Sequence, residues 1–181
     1  MKANEAKVTL VPMQESDREQ FILDNQEAFL FGATEEFGMQ DDHFEEDGEI
    51  IARKTIEESM DAKGAETYRI VKDGEIVGGI ILKIDNETHH NHLDILFVSP
   101  KAHSKGIGFA AWQEIEALHP ETEVWETCTP YFEKRNIHFY INKCGFHGVE
   151  FFNRHHSDPH SPDGDSSDGE DLMFRFEKVM K

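Results

Sequence analysis

The sequence is poor in cysteine, in basic residues and in long apolar runs. Only two cysteines, Cys128 and Cys144, occur in 181 residues, and their spacing matches neither a zinc motif nor a disulfide framework. No apolar run approaches the roughly 18 residues of a membrane-spanning helix, and the first residues contain no secretory hydrophobic region. These absences favour a cytoplasmic protein that does not enter a membrane.

Positive charge is also scarce, since 18 Lys and Arg face 37 Asp and Glu and give a formal net charge of -19. Binding to nucleic acid or to an anionic membrane surface requires a basic face, so we expect neither partner. A cationic partner is better favoured by the charge. Solubility in an acidic proteome explains the same charge more simply.

What is present is a sequence with enough apolar residues for a core. Hydrophobic residues make up 38% of the chain, and 14 of them are Phe. The length fits one domain over residues 1–181. Residues 155–171, HHSDPHSPDGDSSDGED, have an acidic and His-rich composition without apolar anchors, which predicts a flexible loop.

Hydrophobic periodicity and turn signals predict an α+β fold. The predicted strands cover residues 7–13, 67–72, 75–84, 93–98, 123–128, 148–154 and 172–179. The pair Asp73-Gly74 predicts a two-residue hairpin turn, and Gly78-Gly79 is typical of a bulge. Predicted helices follow Ser16 or Asp17, cover 49–62, follow Gly106, and lie within 129–146. An acidic segment, 33–48, is expected to be a loop.

The stretch from His92 to His119 predicts a strand, a short loop and a helix. Gly106 and Gly108 lie at the helix N-terminus, where backbone N–H groups without helical partners can hold a phosphate. Lys101 and Lys105 add positive charge beside it. A P-loop and a dinucleotide-binding motif are both excluded because their glycine spacing is absent. A tight strand-to-helix connection without a ligand is the alternative.

This stretch, LDILFVSPKAHSKGIG, resembles motif A of the GNAT family of N-acetyltransferases, [QR]-x-x-G-x-[GA] after a strand, with His103 in place of Gln or Arg. The later stretch TPYFEKRNIHFYINKCGF resembles motif B of a bacterial subgroup, with Ile141-Asn142 where Glu-Lys is more usual. The resemblance implies a central mixed sheet of about seven strands flanked by about four helices. It also implies that the sheet is splayed between strands 93–98 and 123–128, which the βαβ rule makes parallel.

The resemblance further implies an acyltransferase that moves an acetyl group from acetyl-CoA to an amine acceptor. Tyr140 is the expected general acid for the departing thiolate, the amide of Val98 is expected to polarise the thioester carbonyl, and Asn136 to contact the pantetheine arm. The full set expected to bind the co-substrate is Phe97, Val98, His103, Ser104, Lys105, Gly106, Ile107, Gly108, Asn136 and Lys143.

A general base is less clearly marked by the sequence. His92 and Asp94 are two residues apart on a strand and therefore share a face, which Leu96 and Val98 would share as well. Either side chain could relay a proton, Glu126 on the neighbouring strand is a third option, and a water relay without a dedicated base is a fourth.

Three further interpretations concern ligands and assembly. The same fold could retain acyl-CoA as a non-catalytic sensor or interaction module. His155, His156 and His160 suggest a metal-buffering loop, but the calcium-loop pattern beginning at Asp163 fails because Gly stands at its seventh position and Phe174 at its twelfth. We therefore expect no metal. A homodimer is compatible with the sequence.

Overall fold

A computed structural model describes residues 6–32, 51–102, 106–131, 133–153, 155–156 and 172–180. Within these residues the chain forms seven strands and four helices in the order expected for an α+β fold. The elements are β1 (Thr9–Pro12), α1 (Arg18–Phe31), α2 (Arg53–Asp61), β2 (Ala65–Lys72), β3 (Glu75–Lys83), β4 (His90–Val98), α3 (Ile107–Leu118), β5 (Val124–Pro130), α4 (Lys134–His138), β6 (His147–Phe152) and β7 (Met173–Val179).

The seven strands form one sheet in the order β1-β2-β3-β4-β5-β7-β6. Only β4 and β5 are parallel, as the βαβ rule predicts, and the other neighbours are antiparallel. The predicted hairpin turn is confirmed, because Asp73 and Gly74 both have positive φ angles, of 51° and 78°. That pair of conformations gives the tight turn that matches the twist of two antiparallel strands.

Two hydrophobic clusters cover the two faces of the sheet. One lies under α3 and contains Trp112 and Trp125, whose rings meet edge to face with centroids 5.4 Å apart. The other lies under α1 and α2 and contains Phe21, Ile56 and Phe97. Alternating residues along each strand serve one cluster or the other, which fixes the face that every site residue points to.

A bulge in β4 changes this alternation. Leu82 of β3 lies opposite Leu93, but the next residue, Ile81, lies opposite Ile95, so Asp94 is an extra residue in the strand. Leu93 belongs to the cluster under α3, whereas Ile95 belongs to the cluster under α1 and α2.

The bulge overturns the expectation that Asp94 shares a face with Leu96 and Val98. Those two residues pack against the α3 cluster, while Asp94 accepts a hydrogen bond from Ser59 of α2. A bulge places two successive side chains on one face, and period-two counting from sequence does not detect it.

The parallel strands β4 and β5 pair over only three residue pairs, from His90 opposite Val124 to His92 opposite Glu126. Beyond His92 the two strands no longer pair. This confirms the predicted splay and leaves a crevice beside the second half of β4.

Several element boundaries differ from the sequence prediction. Strand β5 continues through Thr129 and Pro130, two residues beyond the predicted end of the strand, and α4 begins at Lys134, inside the stretch 129–146 in which a helix was expected. Asp17 is at the N-cap of α1 but makes no capping bond, because its carboxylate instead binds the buried guanidinium of Arg69, with Nε to Oδ2 at 2.6 Å. The bulge expected at Gly78-Gly79 falls one residue earlier, at Val77.

Two predicted loops lie largely outside the described residues. The segment 33–48 does so entirely, and so do residues 157–171 of the His-rich segment. His156, at the start of that segment, stacks on Phe152 with ring centroids 5.6 Å apart and contacts Glu150 at 2.7 Å. No helix in the described ranges is long and apolar enough to cross a membrane.

Candidate active site

A cavity of about 350 Å³ opens where β4 and β5 separate. The end of β4 forms one wall through Leu96, Phe97 and Val98. The last residues of α1, including Ala28 and Phe29, form another. The cavity lies beside the second half of β4, where β5 no longer pairs with it.

The N-terminus of α3 forms the third wall, through Gly106, Ile107 and Gly108. Gly106 has a φ angle of 71°, a left-handed conformation that glycine adopts without steric cost. A Cβ atom at Gly108 would lie 3.4 Å from the ring of Phe139, so the first turn of α3 closely approaches the residue that follows α4. The first-turn amides of a helix lack helical partners and attract anions.

The fourth wall comes from the segment around α4, which continues as a π-helical turn over Phe139–Lys143. It contributes Asn136, Phe139, Tyr140 and Lys143 to the cavity. Single π-helical turns often occur at functional sites because they reposition side chains that a regular helix would place elsewhere.

Tyr140 lies in this turn and is 7% exposed. Its ring packs against Phe146 and Phe176. Burial raises the pKa of the Tyr140 hydroxyl, and the nearby Cys144 and Glu133 raise it further. The hydroxyl therefore keeps its proton at neutral pH and can act as a donor inside the cavity.

Thr127 lies beside the Tyr140 hydroxyl, and its side chain lowers the pKa of that hydroxyl, against the effect of burial. Thr127 Oγ1 donates to the backbone oxygen of Leu93 at 2.9 Å. A threonine hydroxyl has one proton, so while that proton is on Leu93 it is not available to Tyr140. The Thr127 side chain thus bridges β5 and β4 at the residue where backbone pairing has ended.

A buried carboxyl group also faces the cavity. Glu133 precedes α4, is 7% exposed, and lines the same cavity as Asn136 and Tyr140. It accepts a hydrogen bond from Asn136 Nδ2 and a long one, 3.5 Å, from Thr129 Oγ1. Desolvation raises the pKa of Glu133 to about 6, although both hydrogen bonds lower it.

The expected base residues lie outside the cavity wall. His92 Nε2 is 3.3 Å from Glu126 Oε2. Asp94 Oδ2 is 3.4 Å from Lys83 Nζ and also accepts from Ser59. Both residues lie on the α2 side of β4, next to the point where the strands separate.

The structure thus brings most of the expected residues to one place. Those lining the cavity are Phe97, Val98, Gly106, Ile107, Gly108, Asn136, Tyr140 and Lys143. His92 and Asp94 do not line it, and the other three, His103, Ser104 and Lys105, lie outside the described residues.

Two residues of the site, Thr127 and Glu133, escaped the sequence analysis. Thr127 has a usable signal, since it alternates with Trp125 on a strand and so faces the core. Glu133 has none, because a glutamate beside Lys134 and Arg135 is typical of a solvated helix surface.

The cavity fits the chemical parts of an acyl-CoA. Its apolar residues suit an extended chain, the N-terminus of α3 suits a pyrophosphate, and Arg135 and Lys143 supply positive charge at the wall. Over the described ranges, no group of three or more His, Cys, Asp or Glu side chains is arranged to hold a metal.

Solved structures with the same fold include several acetyltransferases. The ribosomal-protein-S18-alanine N-acetyltransferase of Escherichia coli superposes with a TM-score of 0.67 at 13% identity, covering 95% of this chain and 93% of the other. The PaiA N-acetyltransferase of Thermoplasma acidophilum, in complex with coenzyme A, gives 0.67 at 17%, covering 96% and 99%. The spermidine N-acetyltransferase of Vibrio cholerae, with CoA and spermine, gives 0.65 at 10%, covering 96% and 95%.

Sequence comparison agrees with the structural one. The uncharacterized protein YrkN of Bacillus subtilis (strain 168) is 49% identical over 183 residues, covering 98% of this chain and 96% of its own. The model of the acetyltransferase (GNAT) family matches residues 14–146, which include both motifs and every wall of the cavity. The chain therefore belongs to the GNAT acetyltransferase family.

Proposed function

We propose that the protein transfers an acetyl group from acetyl-CoA to a primary amine of a small molecule or peptide. The observation that carries this proposal is the cavity at the splay, which combines the N-terminus of α3 with the protonated hydroxyl of Tyr140. Several fold neighbours were solved with CoA or acetyl-CoA.

Acetyl-CoA supplies an activated acetyl group, and the chain's own residues would bind it and move protons. The amides at Gly106 to Gly108 would hold the pyrophosphate, and the end of β4 at Val98 would face the thioester. Tyr140 would give its proton to the departing sulfur. Desolvation raises the pKa of Tyr140, and it would also raise the pKa of the thiol formed from a thiolate in the same cavity. The pKa values of proton donor and acceptor therefore rise together, so that burial does not prevent the proton transfer.

Direct attack by the amine is the simplest route, because neither cysteine lines the cavity. Burial raises the pKa of the Cys144 thiol to about 12, so it is not a nucleophile at neutral pH. The proton of the amine would leave through His92 or Asp94. The Asp94 carboxylate already accepts a hydrogen bond from Ser59 and lies 3.4 Å from the Lys83 ammonium group. His92 is the better proton acceptor, because the Glu126 carboxylate, 3.3 Å from its Nε2, would stabilise the imidazolium that forms.

A thiol-release assay with acetyl-CoA and a panel of amines tests the proposal. With a cognate amine, Tyr140→Phe should lower kcat by roughly 10²-fold and leave acetyl-CoA affinity nearly unchanged, because the ring is kept and only the general acid is lost. In the same assay His92→Asn should lower kcat more than Asp94→Asn.

The matched control is Tyr131→Phe, since Tyr131 is 48% exposed and does not line the cavity. It should behave as wild type. A protein that binds acetyl-CoA yet releases no thiol with any amine would support a non-catalytic sensor instead.

A further inference from the structure

Glu133 is a buried acidic side chain to which the proposed reaction gives no task. It lies in the cavity wall, and burial of a carboxyl group costs free energy unless the group is hydrogen-bonded or paired. Its hydrogen-bond partners are Asn136 and, at 3.5 Å, Thr129.

The contact with Asn136 constrains the asparagine side chain. An ionised carboxylate can only accept hydrogen bonds, so the Asn136 atom that faces it must be the donor Nδ2. The other end of the amide, Oδ1, is then the end left for a ligand in the cavity that Asn136 lines. An acyl-CoA carries amide N–H groups along its arm, and these require an acceptor.

We infer that Glu133 is a positioning residue, which fixes the amide of Asn136 so that Oδ1 accepts a hydrogen bond from an amide N–H of acyl-CoA. This inference rests on the proposed function. It assigns to this chain one acceptor for the arm of the co-substrate and the group that orients it.

A proton on Glu133 would remove the constraint, because a carboxylic acid can donate as well as accept and would allow both orientations of the Asn136 amide. Among the residues that the structure describes, the charged groups that share the cavity wall with Glu133 are Arg135 and Lys143, and those facing it from α1 and the end of β4 are uncharged. Since the pKa of Glu133 is raised to about 6, the group is ionised at pH 8 and protonated at pH 5.

Calorimetric titration of acetyl-CoA at pH 8 and pH 5 tests the inference with Glu133→Gln, which imitates the protonated acid. At pH 8 the variant should bind about fivefold more weakly than wild type, the loss of one hydrogen bond. At pH 5 the two proteins should bind equally. The phosphates of acetyl-CoA titrate in the same range, but they do so equally with both proteins, so the ratio of their Kd values isolates Glu133.

A double-mutant cycle separates positioning from a general structural effect. Asn136→Ala should weaken binding, and adding Glu133→Gln to it should change the Kd no further. If Glu133→Gln folds poorly, Asn136→Ala can be tested alone. Its Kd for acetyl-CoA should change less between pH 5 and pH 8 than that of wild type, because the contribution of Glu133 acts through Asn136.

Two outcomes would overturn the inference: equal binding by wild type and Glu133→Gln at pH 8, or additive losses in the cycle. Failure of the wild-type protein to bind acetyl-CoA at either pH would instead refute the proposed function on which the inference rests.

Discussion

Tyr140 depends on its neighbours for its protonation state. Its enclosure by Phe146 and Phe176 raises the pKa of the hydroxyl, whereas the Thr127 side chain beside it lowers that pKa. In the resting protein the Thr127 proton is committed to the Leu93 carbonyl. When Tyr140 gives up its own proton, the Thr127 hydroxyl can rotate and donate to the phenolate, which stabilises the charge at the moment it forms.

Thr127→Val tests this arrangement, because valine keeps the shape and removes the hydroxyl. A hydrogen bond to a charged group contributes about 1.5–3 kcal/mol, so kcat should fall by roughly 10- to 100-fold while the Kd for acetyl-CoA stays within about twofold. Steady-state kinetics with the cognate amine provide the measurement.

Thr127→Ser is the matched control, since serine keeps the hydroxyl, and it should retain most of the wild-type kcat. Wild-type turnover by the valine variant would show that the Thr127 hydroxyl has no part in the reaction.

At the scale of elements, the position of β4 decides the geometry of the cavity. Its second half carries Phe97 and Val98 into the wall and, unlike its first half, does not pair with β5 in the described sheet. It pairs with β3, through Gly79 opposite Phe97 and Gly78 opposite Val98. A Cβ atom at Gly78 would lie 2.2 Å from the backbone oxygen of Phe97, so glycine is required there for the two strands to approach.

Gly78→Ala should therefore push β3 and β4 apart. We expect a loss of about 1–3 kcal/mol, typical of overpacking, which corresponds to a fall in Tm of roughly 2–12 °C for a chain of this size. Thermal unfolding followed by circular dichroism measures it.

Gly148→Ala in β6 is the comparison, because its Cβ would meet Phe176 at an ordinary distance of 3.7 Å. Its Tm should change little. An unchanged Tm for Gly78→Ala as well would mean that β3 and β4 can move apart to accommodate the methyl group without a loss of stability.

Over the whole molecule, features set by neighbouring residues were predictable and those set by distant contacts were not. The Asp73-Gly74 turn follows from local backbone preferences, and the parallel pairing of β4 and β5 follows from one connecting helix. The face of Asp94 depends on register against β3, which a single strand's sequence does not contain. Glu133 is buried between Asn136 of α4 and Thr129 of β5, so its surroundings depend on the complete fold.

Direct titration of acetyl-CoA into the protein tests the central claim most directly, because it needs no knowledge of the amine. We expect one site per chain with a Kd between about 1 μM and 1 mM, the usual range for enzymes and their substrates. Gly108→Leu, which would extend a side chain from the first turn of α3 toward Phe139 and Val98, should abolish binding while Gly148→Ala retains it. Absence of binding by the wild-type protein at millimolar acetyl-CoA, or undiminished binding by a folded Gly108→Leu variant, would contradict the placement of the co-substrate in this cavity.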